Sequence, residues 1–194
     1  MAQWHLAEPA FDGAAPEPSG LDALEELVLR QHWHNFSLWH VEDRARRRDV
    51  TPAVIADCKY AIDGLNQRRN DLMEKVDACL IHALEPILPA CAEDRHNTES
   101  PGAAVDRMSI LALKIFHMCE QTERADVDTG HVGACRDKLL VLEEQRADLE
   151  QSILELVADF AVGRKRLKVY FQFKMYNDPK LNPELYGGGA TCVE

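Results

Sequence analysis

Residues 51–80 read TPAVIADCKYAIDGLNQRRNDLMEKVDACL, and this stretch decides the fold. Thr51 is a helix cap, and Pro52 suits the first helical position because its missing N–H would have no partner there anyway. Ile55, Cys58, Ile62, Leu65, Leu72, Val76 and Cys79 then recur at three- and four-residue steps or their sums. That is the period of one helical face. The helix is expected to run to about residue 85, before Pro86, with Gly64 inside it as a place for a bend. A glycine there costs about 1 kcal/mol against alanine.

One member of the stripe is out of place. Arg69 falls between Leu65 and Leu72 on the apolar face. An arginine keeps its charge and is rarely buried without a partner. A carboxylate from another helix, or an anionic ligand, is expected to meet it.

Outward from this helix the same grammar repeats. Residues 21–47 have helical spacing in Leu21, Leu24, Val28, Leu29, Trp33 and Phe36, with Ser19 as a cap. Ser100 and Pro101 repeat the cap-plus-proline start of a helix over 101–121. Residues 134–162 are periodic again, through Cys135, Leu139, Leu142, Leu149, Ile153, Leu156 and Phe160. Residues 86–100 and 123–133 read as connections. In residues 168–176, Val169, Phe171, Phe173 and Met175 alternate as a strand would. No other segment offers a partner strand, and a lone strand leaves its backbone unpaired, so a helix is expected there. The expected fold is all-α: a single bundle of about four principal helices over residues 21–186 with a C-terminal helical or irregular cap. Residues 1–20, rich in proline and glycine, read as an arm, and residues 187–194 as a loose tail.

Composition narrows the function classes. The 194 residues carry a formal net charge of −11, which argues against nucleic acid or an anionic membrane as the main partner. No segment approaches the roughly 20 apolar residues of a membrane span. Residues 1–20 lack the basic start and apolar core of a secretory signal. The six cysteines form no CxxC pair, and most lie on helical apolar faces, which points to reduced thiols and a cytoplasmic setting. Nucleotide-binding glycine loops, HExxH, GxSxG and deaminase signatures are absent. The single Glu-xx-His pair, Glu93 with His96, has no second copy to make a di-iron bundle.

Polar residues recur on or beside the apolar stripes. His40 and Asp43 continue the face of Leu29, Trp33 and Phe36 at a spacing of three; the carboxylate could orient the imidazole as a general base, or both could share a metal. Lys59, Asp63, Asn66 and Asn70 stack along one edge of the Arg69 helix, and Asn and Asp are poor helix formers that need a reason to be there. Asp106, Ile110, Lys114, His117 and Gln121 share one face of the third helix, and Arg146 repeats the Arg69 anomaly in the fourth. Convergence on one cavity is expected. His40, Asp43 and Asp63 are the candidate catalytic groups, and Asn66, Arg69, Asn70, Asp106, Lys114, His117 and Arg146 the candidate ligand-binding groups. Each has a plain alternative as a hydrogen-bonded core residue or a wet face.

Four ordered words carry a resemblance: NFSLWHVEDRAR at 35–46, IDGLNQRRND at 62–71, ESPG with DRMSILALKIFHM at 99–102 and 106–118, and FKMYNDP at 173–179. Together they resemble the bacterial DUF4254 family over about residues 22–186. Ser100 stands where threonine is expected and Met108 where leucine is. The resemblance implies a bacterial cytoplasmic protein with a link to cell-envelope glycan pathways, and it brings no established activity. Two main readings follow. The first is a polar site within the bundle that binds or processes an anionic small molecule of the phosphosugar or nucleotide class. The second is a non-catalytic interaction or scaffold protein whose buried polar network is structural. A metal-dependent helical hydrolase of the nucleotide-pyrophosphatase type is a lesser third, because amides and arginines stand where that chemistry wants carboxylates. The residues name no metal or cofactor; a homo-oligomer fits either main reading.

Overall fold

In a computed structural model the described residues are 23–186, so the expected arm, the tail, Ser19 as a cap and Cys192 lie outside them. Four long helices carry the structure: α1 (Ala23–Ala45), α2 (Pro52–Leu84), α3 (Pro101–Thr122) and α4 (Thr129–Ala161). A short helix, α5 (Pro183–Tyr186), follows, and 3-10 turns lie at Glu85–Ile87 and Met175–Asn177. No strand occurs among the described residues, and none of their helices is long and apolar enough to cross a membrane.

The helix starts follow from their caps. Ser100 Oγ accepts from the Ala103 N–H at 3.2 Å, satisfying one of the orphan donors of a first turn. Pro52 and Pro101 occupy the first turns of α2 and α3. α2 runs unbroken through Gly64. α4 begins at Thr129, five residues earlier than its periodicity predicts, because Asp128 accepts from the His131 N–H at 2.9 Å. Gly130 and Gly133 read as loop residues and instead lie in that helix. α4 ends at Ala161, and two residues on the chain turns away at Gly163, whose φ of 75° suits glycine; a β-carbon there would also come within 2.8 Å of the Pro89 ring.

α1 and α2 pack along each other, α3 closes against both, and α4 packs mainly on α3. The core of the first three helices holds Phe36, Leu38, Val41, Cys58, Leu72, Val76, Leu113 and Ile115. The helix expected at 168–176 is not there. Apart from the 3-10 turn at its end, that segment has no regular secondary structure, with Phe173 at a φ of 38°, and polar contacts hold it to α2. Glu74 Oε1 accepts from the Gln172 N–H at 2.9 Å, Lys174 Nζ donates to the Asn66 carbonyl at 3.1 Å, and Asn177 Nδ2 donates to Gln67 Oε1 at 3.2 Å. The edge of α2 supplies partners that a search for a second strand overlooks.

Candidate functional site

The polar centre forms where α1, α2 and α3 meet, and Asp106 is its hub. Asp106 is 3% exposed. Its Oδ1 accepts from Gln31 Nε2 and Asn35 Nδ2, each at 2.9 Å, and from Arg69 Nε at 2.7 Å. A second guanidinium nitrogen of Arg69 meets Oδ2, which completes a bidentate fork. Asn35 Nδ2 also donates to Ser109 Oγ at 3.0 Å, and Ser109 Oγ joins His32 Nδ1 at 2.7 Å. One polar chain therefore crosses three helices, and both oxygens of its only carboxylate are occupied. Buried side-chain atoms without a hydrogen-bond partner among the described residues include Gln31 Oε1, His34 Nδ1 and His117 Nε2. The amide oxygen is an acceptor and each neutral ring nitrogen can be one, so none of the three is a fixed cation waiting for an anion.

This layer was partly hidden in the sequence. α1 buries Gln31, Asn35, Phe36, Leu38 and Val41, a face rotated from the one expected through Leu29, Trp33, His40 and Asp43. Gln31, His32 and Ser109 were not singled out as site residues. The available signal was the spacing of Gln31 with Asn35 and of Asp106 with Ser109, which puts each pair on one helical surface.

A second buried carboxylate locks the start of α3. Asp77 of α2 is 1% exposed and accepts from the Gly102 N–H at 2.6 Å, with the Ser100 hydroxyl also bonded to it. Burial pushes its carboxyl above the usual range, and those two hydrogen bonds pull it back. A negative group at a helix N-terminus is also favoured by the helix dipole. The approach requires glycine at 102: a β-carbon would overlap the Met73 carbonyl oxygen and sit 3.0 Å from the Asp77 carboxyl.

His40 and His117 come together at another point between α1 and α3. Their ring centroids lie 5.9 Å apart, His117 stacks on Trp39 at 4.6 Å, and His40 meets the edge of Phe36 at 4.5 Å. Glu120 Oε2 lies 2.7 Å from His117 Nδ1, so an ionised Glu120 holds the proton on that nitrogen. Burial lowers the His40 pKa and the neighbouring His117 lowers it further, while Asp43 and Glu120 oppose the shift by their charge.

The remaining candidates are dispersed. Asp43 is exposed. Asp63 pairs with Lys59 one helical turn away, on a wet edge. Asn66 offers its backbone carbonyl to Lys174, and Asn70 is buried. Lys114 is exposed and faces a groove of about 710 Å³ between α3 and α4, with Ile110, Leu149 and Ile153 as apolar walls, Asp148 and Ser152 as polar ones, and Arg107 paired to Glu99. Thus Asp106 and Lys114, expected on one face, diverge: Asp106 looks to α1 and α2, Lys114 to the α4 side. Arg146, expected to be buried against a carboxylate or anion, is half-buried and meets no carboxylate among the described residues. No group of three or more His, Cys, Asp or Glu is placed to hold a metal ion among those residues.

A family model described as "Protein of unknown function (DUF4254)" matches residues 25–169. No curated protein and no solved structure matches the chain.

Proposed function

The chain belongs to the DUF4254 family, and from that premise we propose that it is a non-catalytic helical interaction protein of the bacterial cytosol, whose buried polar layer sets the register of its helices. The observation that carries this reading is the closure of the network at Asp106, where four donors from α1 and α2 occupy both carboxylate oxygens. A site built for an anion would leave donors pointing into a void; here the cation and the amides are consumed by the protein's own carboxylate. Supporting it, large apolar side chains stand outside, among them Tyr60, Leu140, Leu154 and Phe171, with Phe173 at 79% exposure. Of these, Phe171 and Phe173 stand together, with ring centroids 5.7 Å apart, and adjoining exposed apolar groups of this kind suit contact with another protein.

A thermal-shift screen against phosphosugars, nucleotides and divalent metals tests the proposal. The melting temperature is expected to stay unchanged throughout, since a ligand specific for the native state would raise it by mass action. A rise with a phosphosugar or nucleotide that disappears in Lys114→Ala would replace this reading with a second one. That second reading is an anion site in the α3–α4 groove, favoured by the exposed Lys114 ammonium on its wall. Binding of a phosphosugar there would also fit the link to envelope glycans that the family resemblance implies.

A further inference from the structure

We infer that the groove between α3 and α4 is a docking site for an amphipathic helix of a partner protein, one that carries acidic side chains on one flank and basic ones on the other. This rests on the interaction reading and names the surface and the chemistry of its partner.

The floor of the groove is apolar, through Ile110 and Leu111 of α3 and Leu149, Ile153 and Leu156 of α4. Between Ala104 and Lys114 it follows α3 for about 15 Å, roughly three helical turns. α3 packs on α1, α2 and α4, whereas α4 packs mainly on α3. The groove is therefore a place beside α4 that no helix among the described residues fills.

Its two rims differ in sign. On α3, Arg107 is paired to Glu99, while Lys114 is exposed and meets no carboxylate among the described residues. On α4, Asp148 lines the opposite wall, is exposed, and pairs with no cation among those residues. Glu144 and Glu155 stand four residues before it and seven after, on the same side of the helix, and both are exposed. One rim thus offers a free ammonium and the other a row of carboxylates.

That lining selects among occupants. A small anion would find Lys114, but it would face Asp148 across the groove and leave most of the apolar floor wet. An extended peptide would press its backbone N–H and C=O groups against side chains that cannot bond them. A helix satisfies its own backbone, lays an apolar stripe on the floor and turns a charged flank to each rim. Acidic residues on the Lys114 side and basic residues on the Asp148 side then set opposite charges together along both rims.

The probe that tests this is a synthetic peptide of about fourteen residues, roughly four turns, with a leucine stripe, glutamates along one flank and lysines along the other. A staple on its outer face keeps it helical, since so short a helix is marginal in water. Its binding to the full chain is read by fluorescence anisotropy, and the wild type is expected to bind it. Lys114→Glu and Asp148→Lys each set like charges along one rim and should each weaken binding about tenfold. Both positions are exposed, so the helical circular dichroism spectrum should not change. A second peptide with lysines on both flanks should bind Lys114→Glu more tightly than wild type. A mixed-flank peptide that does not bind overturns the inference. So does binding that both rim exchanges leave unchanged, or a Lys114→Glu that weakens both peptides alike. A rise in melting temperature with a phosphosugar or nucleotide, lost in Lys114→Ala, gives the groove to a small anion and overturns it too. If the peptide fails while the ligand screen stays silent, this inference falls and the interaction reading stands.

Discussion

Arg69 and Arg146 interrupt the apolar stripes of α2 and α4 in the same way, and they end in opposite circumstances. Arg69, with 24% of its side chain exposed, grips a buried carboxylate that α1 also holds. Arg146 sits on a helix with one main neighbour and meets no carboxylate among the described residues. The α1–α2–α3 side is a closed layer in which three helices satisfy one another. The α4 side is an open one, with a groove and an exposed leucine row. An arginine in a stripe therefore reports that the stripe is polar at that level, and the number of neighbouring helices decides whether the protein supplies the counter-charge itself.

The largest effect should fall on the closed side. Asp106→Ala leaves Arg69, Gln31 and Asn35 without their common acceptor, and breaking such a buried pair is expected to cost about 3–5 kcal/mol in urea unfolding. A loss under about 1 kcal/mol would show that water replaces the carboxylate freely and that the layer is not closed. Next, Gly102→Ala drives a β-carbon into the Met73 carbonyl and should cost about 1–3 kcal/mol as α3 is forced off α2, read as a fall in melting temperature.

Acid should also weaken the closed side. Burial lowers the pKa of His34, helped by the Arg68 charge, and that of His40. Their folded pKa values lie below the unfolded one, so the folded state prefers them neutral. The stability this supplies is present above about pH 6.5 and is lost as pH falls through and below that value. Unfolding free energy measured from pH 7.5 down to 5.5 should decline, and the decline should shrink in the His34→Gln, His40→Gln double variant. An equal decline in that variant would assign the effect to other groups.

Smaller effects belong to α4. Gly133 lies in that helix with nothing within 4 Å of an added β-carbon, so Gly133→Ala should stabilise by about 0.5–1 kcal/mol. Arg146→Met should change the unfolding free energy of the single chain by less than about 1 kcal/mol, as for other weakly paired surface charges. A cost comparable to Asp106→Ala would mean that α4 is closed after all.

Much of the closed side was legible from sequence. The starts at Thr51-Pro52 and Ser100-Pro101 located α2 and α3 to the residue, although only Ser100 caps through its side chain and Thr51 makes no side-chain cap bond, so that at α2 it is the first-turn proline that agrees with the start. The stripe from Cys58 to Val76 is the buried face of α2, and the anomaly of Arg69 pointed to a counter-charge. Less was legible for α1. Its buried face carries Gln31 and Asn35, which look like surface residues until Asp106, more than 70 positions away, is set against them. Nor could spacing place Lys114 and Asp106 apart, since the third helix is flanked by α4 on one side and by α1 and α2 on the other.

The sequence by itself determined that the fold is all-α, where its second and third helices begin, and that charge interrupts its apolar stripes. These are properties of three- and four-residue spacing and of single caps, and they need no knowledge of the rest of the chain. Only the tertiary structure decided which carboxylate meets Arg69, that Asp77 locks Gly102, that residues 168–176 are held irregularly against α2, and that Arg146 finds no counter-charge in the described chain. Each of these depends on how two segments of the chain are set against each other, and that placement is made by contacts between residues far apart in the chain, of which local periodicity carries no record.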